Sequence, residues 1–343
     1  MGLAAQGGAP RCRSAARGAR IRRARRGRRR LSAAVESAVV PSGSVVFELP
    51  FKPPYDWPRV LRFFAGRAIP GVEAVEGGAY RRTVDYRGAV GALTVRKHPR
   101  KRCLVATVEG DAARHADAAF AARLATMFDL HADPAAIGAH LARDAWLAPL
   151  VDAAPGLRVP GAWSSFELIV RAIVGQQVSV KAATTIVGRL VERAGERLVG
   201  HAPGATGWRF PEPAALAACD LSRIGMPGKR AAALQGVARA VAAGDVPLDA
   251  YATDPAGVRA ALLALPGIGP WTVEYVAMRA WRDADAWPAT DLVLMQAIVA
   301  RDPALDRPAS QRLRADAWRP WRAYAAMHLW NEIADRAGSA RGG

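Results

Sequence analysis

Residues 265–280 read Leu265-Pro266-Gly267-Ile268-Gly269-Pro270-Trp271-Thr272-Val273-Glu274-Tyr275-Val276-Ala277-Met278-Arg279-Ala280. A short helix is expected to end at Leu265, and the two glycines that follow permit a tight turn with positive φ and a close approach of another backbone. Pro270 has a fixed φ and no amide hydrogen, so it suits the first position of a second helix. The stretch predicts a helical hairpin whose second helix points free amides outward, an arrangement that binds phosphate without a basic side chain.

This hairpin has two interpretations. A bare Gly-x-Gly between helices is also typical of an ordinary αα-turn. Pro266, Pro270 and the residues after them favour contact with DNA phosphates, which would not depend on base sequence. We assign DNA contacts here to Gly267, Ile268, Gly269, Pro270 and Thr272.

A second motif follows a few residues downstream, where residues 287–295 read Trp-Pro-Ala-Thr-Asp-Leu-Val-Leu-Met. Thr290 or Asp291 can cap the helix that begins there, and the helix dipole favours a carboxylate in its anionic form. Trp271 and Tyr275 are four residues apart, so they lie on one face of the preceding helix. From this segment alone, an ordinary helix cap is the simpler interpretation of Asp291.

The wider pattern predicts an α+β fold in which a small antiparallel α+β domain is followed by an all-α region. Residues 57–68 are expected to form an amphipathic helix, and 80–86, 90–95 and 103–108 three neighbouring antiparallel strands. A helix over 112–128 closes that domain. From residue 134 onward the periodicity is almost only helical. We place an Arg-rich disordered tail at 1–45, the α+β domain at 46–133 and the helical region at 134–343.

The formal net charge of +18 predicts a polyanionic partner, either nucleic acid or an anionic membrane surface. Residues 1–45 carry eleven Arg and one Glu, a balance of 11 − 1 = +10, which leaves 18 − 10 = +8 for the rest. The tail can be interpreted as a disordered segment that adds non-specific phosphate affinity, as an over-extended start, or as a segment without function. No apolar run is long enough to span a bilayer, so we expect no membrane partner.

The three cysteines are far apart and form no CxxC or Cys/His pattern, so neither zinc nor an iron–sulfur cluster is expected. Their odd number and spacing indicate a reducing compartment, and we expect a cytoplasmic, nucleoid-associated protein. Cys12 lies in the tail and no methyl-transfer domain precedes the α+β domain. We therefore expect no fused repair-regulator arrangement.

Together these residues resemble the helix-hairpin-helix DNA glycosylase superfamily, and more closely its bacterial 3-methyladenine DNA glycosylase II subfamily. The resemblance runs from Pro53 to Trp330 and rests on several motifs in order. These are Pro-Pro-Tyr-Asp-Trp at 53–57, Phe-Asp-Leu at 128–130, Pro-Gly-Leu-Arg-Val-Pro-Gly at 155–161, Arg-Ala-Ile-Val-Gly-Gln-Gln-Val-Ser-Val at 171–180, Gly-Met-Pro-Gly-Lys-Arg-Ala at 225–231 and Arg-Pro-Trp-Arg-Ala-Tyr-Ala at 319–325.

The resemblance implies a role for each matching residue. Asp291 is implied to be the catalytic carboxylate, and Gln177 the wedge that enters the duplex when a damaged nucleotide is flipped out. The hairpin is implied to hold a monovalent cation, Na⁺ or K⁺, on the backbone carbonyls of Leu263, Leu265 and Ile268. The N-terminal domain is implied to be similar to the TATA-binding-protein fold. The implied base pocket consists of Trp271, Tyr275, Trp330 and Phe63.

The implied activity is excision of alkylated bases such as 3-methyladenine and 7-methylguanine from double-stranded DNA, by a monomer without other cofactors. Superfamily members that also cut the backbone have a lysine nucleophile where this chain has Trp271, and tryptophan cannot form a Schiff base, so no lyase activity is expected. Three alternatives stay open: a non-catalytic hairpin protein that binds DNA, a glycosylase for another lesion class, and an RNA- or membrane-surface protein that depends on the tail.

Overall fold

The computed structural model describes residues 36–40, 43–198 and 206–339. The strands are β1 Glu36–Val40, β2 Ser44–Pro50, β3 Glu73–Glu76, β4 Ala79–Tyr86, β5 Ala89–Lys97, β6 Cys103–Gly110, β7 Glu196–Arg197 and β8 Trp208–Arg209. The helices are α1 Trp57–Ala65, α2 Ala118–Met127, α3 Pro134–Leu141, α4 Ala148–Ala153, α5 Ser165–Val174, α6 Val180–Ala194, α7 Pro213–Ala218, α8 Gly228–Ala243, α9 Pro255–Leu263, α10 Pro270–Arg279, α11 Leu292–Val299, α12 Pro308–Ala315 and α13 Arg322–Ser339. Short 3₁₀ segments lie at Asp111–His115, Leu248–Ala252 and Asp316–Trp318.

A six-stranded antiparallel sheet of order β1-β2-β6-β5-β4-β3 forms the N-terminal domain. Leu93 and Val95 of β5 alternate with more exposed residues and pair across the sheet with Val108 and Ala106 of β6. All four are buried, and α1 and α2 pack against the same apolar face. The expected antiparallel neighbours are confirmed as β4, β5 and β6, whereas β1, β2 and β3 were not predicted.

Two expectations for this domain are wrong. Strand β1 lies inside the range assigned to a disordered tail, because residues 36–40 pair with β2 in antiparallel register; residues 1–35 lie outside the described residues. The single helix expected over 112–128 is a 3₁₀ turn followed by α2. Asp117 separates the two, because its extended backbone starts a new helix and its carboxylate accepts hydrogen bonds from the amides of Ala119 and Phe120.

The helical region has two apolar cores, and α10 runs between them. Val273 and Val276 of α10 pack in the core built from α5, α6, α8 and α9, whereas Ala277 and Met278 pack in the core of α3, α4, α11, α12 and α13. A helix buried on both sides holds its side chains in fixed positions. The two-stranded hairpin of β7 and β8 and the short helix α4 are additions to the predicted all-α pattern. No helix in the described ranges is long and apolar enough to cross a bilayer.

Buried ion pairs join the sheet to α5. Arg82 of β4 lies 2.7 Å from Glu167 of α5, and Arg171 of α5 binds both Glu167 and Glu73 of β3. The hydroxyl of Tyr80 donates to Glu73 at 2.5 Å. The Arg82 and Arg171 charges outweigh the effect of burial and hold the pKa of Glu167 at about 2. This cluster of four charged side chains and one tyrosine holds the sheet against α5, and α5 forms one side of a large cleft.

Candidate active site

A cleft with a cavity volume of ≈ 620 Å³ opens between α1 and the helices α5, α6, α10 and α13. The four aromatic residues of the predicted base pocket all line it, although they come from three different helices. Asp291, at the start of α11, lies in the same wall. The structure thus brings together the predicted carboxylate Asp291 and the predicted pocket residues Phe63, Trp271, Tyr275 and Trp330.

Asp291 is held by four hydrogen-bond donors. Its Oδ1 accepts from the backbone amides of Val293 and Leu294, each at 3.0 Å, which makes it the N-cap of α11. The same oxygen accepts from Trp330 Nε1 at 2.9 Å, and Oδ2 accepts from Trp271 Nε1 at 3.0 Å. An ordinary cap needs only the backbone amides. The two indole N–H groups, from α10 and α13, add a fixed orientation that capping alone does not require.

The indole rings that hold Asp291 continue into an aromatic wall. Trp271 and Tyr275 are stacked, with ring centroids 5.2 Å apart and planes 16° apart. Trp330 meets Tyr275 edge to face at 6.2 Å. The expectation that Trp271 and Tyr275 share a face of their helix is confirmed. A flat aromatic ring placed against this wall would lie next to the carboxylate.

Phe63 contributes to the cleft, but two arginines already contact its ring. The guanidinium carbon of Arg67 lies 4.0 Å from the ring centroid and that of Arg279 lies 4.4 Å from it. Arg279 is only 5% exposed, and it donates a hydrogen bond to the hydroxyl of Tyr275. Burial lowers the pKa of Arg279 to about 10. Although burial raises the pKa of Tyr275, the charges of Arg279 and Arg67 outweigh it and lower that pKa overall.

The hairpin at residues 264–269 follows α9, which ends at Leu263, two residues earlier than expected. Gly267 has φ +83°, and a Cβ atom there would lie 2.6 Å from Cβ of Ala233. Gly269 has φ −104° and caps α10, so the expectation of positive φ is confirmed for Gly267 and wrong for Gly269. A Cβ built on Gly269 meets no atom within 4 Å. Space beside this glycine is therefore open for a ligand.

Pro270 begins α10 as predicted, but two other predicted DNA contacts lie inside the protein. Thr272 is 1% exposed, and its amide donates to the carbonyl of Gly269 at 3.0 Å. The Ile268 side chain is buried, and its amide donates to the carbonyl of Leu265. Burial of Thr272 argues against the DNA contact assigned to it. The Ile268 side chain and amide are both engaged within the protein, so Ile268 could contact a ligand only through its carbonyl.

Gln177 lies in the loop between α5 and α6 and is exposed, with φ +58°. Its neighbour Gln176 was not predicted to matter. The Gln176 side-chain amide donates to Thr272 Oγ1 at 3.2 Å and, more weakly, to the carbonyl of Gly267 at 3.4 Å. Gln176 therefore ties the predicted wedge loop to the hairpin. The doubled glutamine after α5 was the available signal, but sequence alone does not say which of the two points inward.

Among the described residues, no three or more His, Cys, Asp or Glu side chains come together to hold a metal ion. A cation at the hairpin would have to bind backbone oxygens. Leu263 is the last residue of α9, and the carbonyl of Leu265 already accepts from Ile268 at 3.1 Å. A carbonyl oxygen has two lone pairs, so this bond leaves Leu265 able to bind a cation as well.

The comparisons with known proteins agree with this architecture. Residues 46–164 match the model of the AlkA N-terminal domain, and residues 170–323 match that of the HhH-GPD superfamily base excision DNA repair protein. The chain is 39% identical over 310 residues to a Mycobacterium tuberculosis protein named probable bifunctional transcriptional activator/DNA repair enzyme AlkA. That match covers 89% of this chain and 60% of the relative, so the chain spans little more than half of that protein.

A second relative matches along nearly its whole length. DNA-3-methyladenine glycosylase 2 of Escherichia coli (strain K12) is 38% identical over 295 residues, which is 83% of this chain and 96% of that protein. The fold is also similar to the solved structure of 3-methyladenine DNA-glycosylase from Archaeoglobus fulgidus, with a TM-score of 0.70 at 21% identity over 84% of this chain and 98% of that one. The chain belongs to the DNA-3-methyladenine glycosylase 2 family within the HhH-GPD superfamily.

Proposed function

We propose that this protein is a monofunctional DNA glycosylase that releases alkylated bases, such as 3-methyladenine and 7-methylguanine, from duplex DNA and so initiates base excision repair. The observation that carries the proposal is the carboxylate of Asp291. It is fixed by two backbone amides and two indole N–H groups at the edge of an open aromatic cleft. The name of the E. coli relative, DNA-3-methyladenine glycosylase 2, supports the same reaction, and the name of the M. tuberculosis relative supports a role in DNA repair.

The chemistry follows from the charge of the substrate. A base alkylated at N3 or N7 is cationic, and breaking its bond to C1′ leaves the electron pair on the base, which departs neutral without a general acid. The positive charge passes to the sugar. Asp291 supplies a preoriented negative charge that stabilises this sugar cation. Water then adds at C1′ and gives its proton to Asp291 or to bulk water, which leaves an abasic site.

The cleft can accept only a nucleotide that has left the base stack. Flipping costs a few kcal/mol and is cheapest for poorly paired bases, so damaged nucleotides are selected partly before chemistry. Trp271, Tyr275 and Trp330 then offer ring faces or edges to the base. A cationic base on such a face gains about 0.5–2 kcal/mol. Gln177, exposed in the loop between the cleft residues Gly175 and Val178, is proposed as the residue that fills the space left in the duplex.

The hairpin is proposed as the site that holds the DNA backbone. The N-terminus of α10 follows Gly269, and the open space at this glycine allows a phosphate to approach backbone amides. A monovalent cation on the carbonyls of Leu263, Leu265 and Ile268 would add a positive charge beside that phosphate. We further propose that the protein acts as a monomer in the cytoplasm.

Lyase activity is not proposed. No lysine belongs to the residues that line the cleft in the described part of the chain. Trp271 occupies the position directly after the hairpin, and its indole nitrogen donates to Asp291. A Schiff base with the sugar requires a free amine.

The proposal is tested by incubating methylated duplex DNA with the protein and resolving the released material by chromatography. We expect free 3-methyladenine or 7-methylguanine, abasic DNA that stays unbroken, and no adduct that borohydride can trap. If DNA binds but no base is released, the protein is a binding module or acts on another lesion, and the proposal fails. A trapped covalent adduct would instead indicate a lyase.

A further inference from the structure

The cleft contains two arginines without an acidic partner. Arg279 makes three hydrogen bonds, all to uncharged acceptors: the carbonyls of Pro160 at 2.8 Å and Gly161 at 3.2 Å, and the hydroxyl of Tyr275. Arg67 donates to the carbonyl of Phe63 at 3.5 Å. Neither forms an ion pair with any carboxylate in the described part of the chain. Burying a guanidinium is costly, and in the described residues no carboxylate offsets the charge of Arg279.

The other arginines of the cleft are neutralised. Arg171 and the buried Arg82 are matched by Glu73 and Glu167. At the mouth, Arg59 and Arg62 are matched by the two carboxylates of Asp56 and Asp335. Once these pairs cancel, two positive charges remain, on Arg67 and Arg279.

These two charges lie at one end of the aromatic wall and Asp291 lies at the other. Arg67 and Arg279 both contact the ring of Phe63, and Arg279 also contacts Tyr275, with its guanidinium carbon 5.1 Å from that ring centroid. Tyr275 stacks on Trp271, whose indole nitrogen donates to Asp291. A nucleotide with its sugar at Asp291 and its base against this wall therefore points its base toward the arginines.

We propose that Arg279, acting through Tyr275 and assisted by Arg67, provides an uncompensated positive charge at the base end of the cleft that drives the electron pair of the glycosidic bond onto the base. This inference rests on the proposed glycosylase function. The C1′–N bond breaks, its electron pair neutralises the cationic base, and the positive charge moves to the sugar beside Asp291. Positive charge thus moves away from the arginines and toward the carboxylate. Arg67 and Arg279 are positioning residues in this scheme.

The arrangement has a distinct kinetic signature. A cationic base is repelled by Arg67 and Arg279 in the bound substrate, and the repulsion is relieved as the bond breaks. Removing one of these charges should therefore slow bond cleavage while leaving binding of the lesion unchanged or tighter. Loss of rate without loss of binding marks a group that raises the energy of the bound substrate relative to the transition state.

The experiment uses Arg279→Met and Arg279→Lys, with single-turnover release of 7-methylguanine from a duplex containing one such lesion. Both variants lose the guanidinium hydrogen bonds, but only the lysine can carry a charge. Because burial lowers the pKa of a lysine as it lowers that of Arg279, the rates are compared at the lowest pH at which wild type stays folded and active. At an effective dielectric constant of about 20, we expect Arg279→Met to be roughly ten-fold slower at saturating enzyme, with an unchanged or lower half-saturating concentration. Arg279→Lys should lie within about three-fold of wild type by the same reasoning.

Arg67→Met and Arg67→Lys repeat the comparison at a partly exposed position, so the test survives if the buried variants do not fold. Arg314→Met is the matched control. Like Arg67 and Arg279, Arg314 lies over an aromatic ring, 4.2 Å from the Trp146 centroid, but it pairs with Asp144 and does not line the cleft. We expect its excision rate to equal that of wild type.

The inference is overturned if methionine and lysine have equal effects at both positions, if the loss appears in the half-saturating concentration, or if no rate changes. These outcomes are separate from failure of the proposed function. If the proposed function fails, wild type itself releases no base. If only this inference fails, wild type is active, but its rate does not depend on the charge at positions 67 and 279.

Discussion

Replacing Asp291 with asparagine changes the charge of one side chain and almost nothing of its shape. In the wild type, Oδ1 accepts three hydrogen bonds and Oδ2 accepts one from Trp271. An asparagine that keeps its oxygen on the three donors must turn its NH₂ group toward Trp271 Nε1, which lies 3.0 Å from Oδ2. Two donors then face each other, so the substitution loses one hydrogen bond and the carboxylate charge together.

The expected magnitudes differ for stability and activity. One unsatisfied indole N–H, with weaker bonds at the other three donors, should cost about 1–3 kcal/mol of unfolding free energy. At about 2–4 °C per kcal/mol, the Tm should fall by several degrees. Loss of a preorganised charge at the reacting centre should reduce base release roughly 100- to 1,000-fold. Activity should therefore fall far more than the fraction of folded protein does.

Asp144→Asn is the matched control for this prediction. Asp144 accepts an indole N–H from Trp318 at 2.8 Å and a backbone amide from Trp146 at 2.9 Å, and it also pairs with Arg314. It does not line the cleft. Asp144→Asn should lower the Tm at least as much as Asp291→Asn, because it also breaks an ion pair, yet base release measured below both melting temperatures should equal that of wild type.

The reasoning is refuted if Asp291→Asn releases 7-methylguanine within about three-fold of wild type, since so small a loss is under 1 kcal/mol of transition-state stabilisation. It is also refuted if Asp144→Asn and Asp291→Asn lose activity in parallel with their Tm. Asp291 would then be only a structural cap.

Three further predictions concern the hairpin, the loop and a buried histidine. Gly267→Ala should lower both Tm and DNA affinity, because alanine is strained at φ +83° and its Cβ would meet Ala233 at 2.6 Å. Gly269→Ala should keep the wild-type Tm and lose DNA affinity. If the two variants have equal effects in melting and gel-shift assays, this prediction is wrong. Gln177→Gly should keep the fold, because glycine tolerates the φ of +58° at this position, but it should excise 7-methylguanine more slowly from paired than from mismatched duplexes. An equal loss of rate on both kinds of duplex would exclude a wedge role. Burial and the charge of Arg59 lower the pKa of His328 to about 4. The unfolded chain, with a His pKa of about 6.5, therefore binds the proton first, and the unfolding free energy should fall as pH drops from about 6.5 to 4. In urea titrations at pH 7 and 4.5, His328→Gln should lose less unfolding free energy between the two pH values than wild type does. An identical loss in the two proteins would refute the assignment.

Local sequence patterns were sufficient for most helices, because apolar periodicity and turn residues act over a few positions. Strand β2 does carry such a signal, since Ser44–Pro50 alternates buried and more exposed residues, and it could have been predicted. The other missed elements lack one. Strand β1 pairs only with β2 at the sheet edge, and β3 is four residues long. The break before α2 depends on Asp117, whose cap is hidden within an alanine-rich stretch. Gly269 was misjudged because a second glycine in a turn does not reveal its own φ.

The geometry of the site could not be derived from neighbouring residues. Asp291 is capped by amides two and three positions ahead, which the sequence does suggest, but its indole partners lie 20 and 39 residues away. Trp271 and Trp330 reach it only because the fold brings α10 and α13 to the start of α11. In the sequence alone, those roles rest on family resemblance. Charge pairing is equally nonlocal, since a net charge of +18 does not show that Arg67 and Arg279 are unpaired.

The pairing of charges also decides which carboxylate can do the chemistry. Four carboxylates line the cleft among the described residues: Glu73, Glu167, Asp291 and Asp335. Glu73 and Glu167 are locked by Arg82 and Arg171, and Asp335 is bound by arginines of α1. A carboxylate that is paired with an arginine is already neutralised, so it stabilises a nearby sugar cation only weakly. Asp291 is held only by uncharged donors in the described structure, so its charge stays available for the reaction. The same cleft would therefore lose its function if an arginine were introduced beside Asp291, even with every aromatic residue in place.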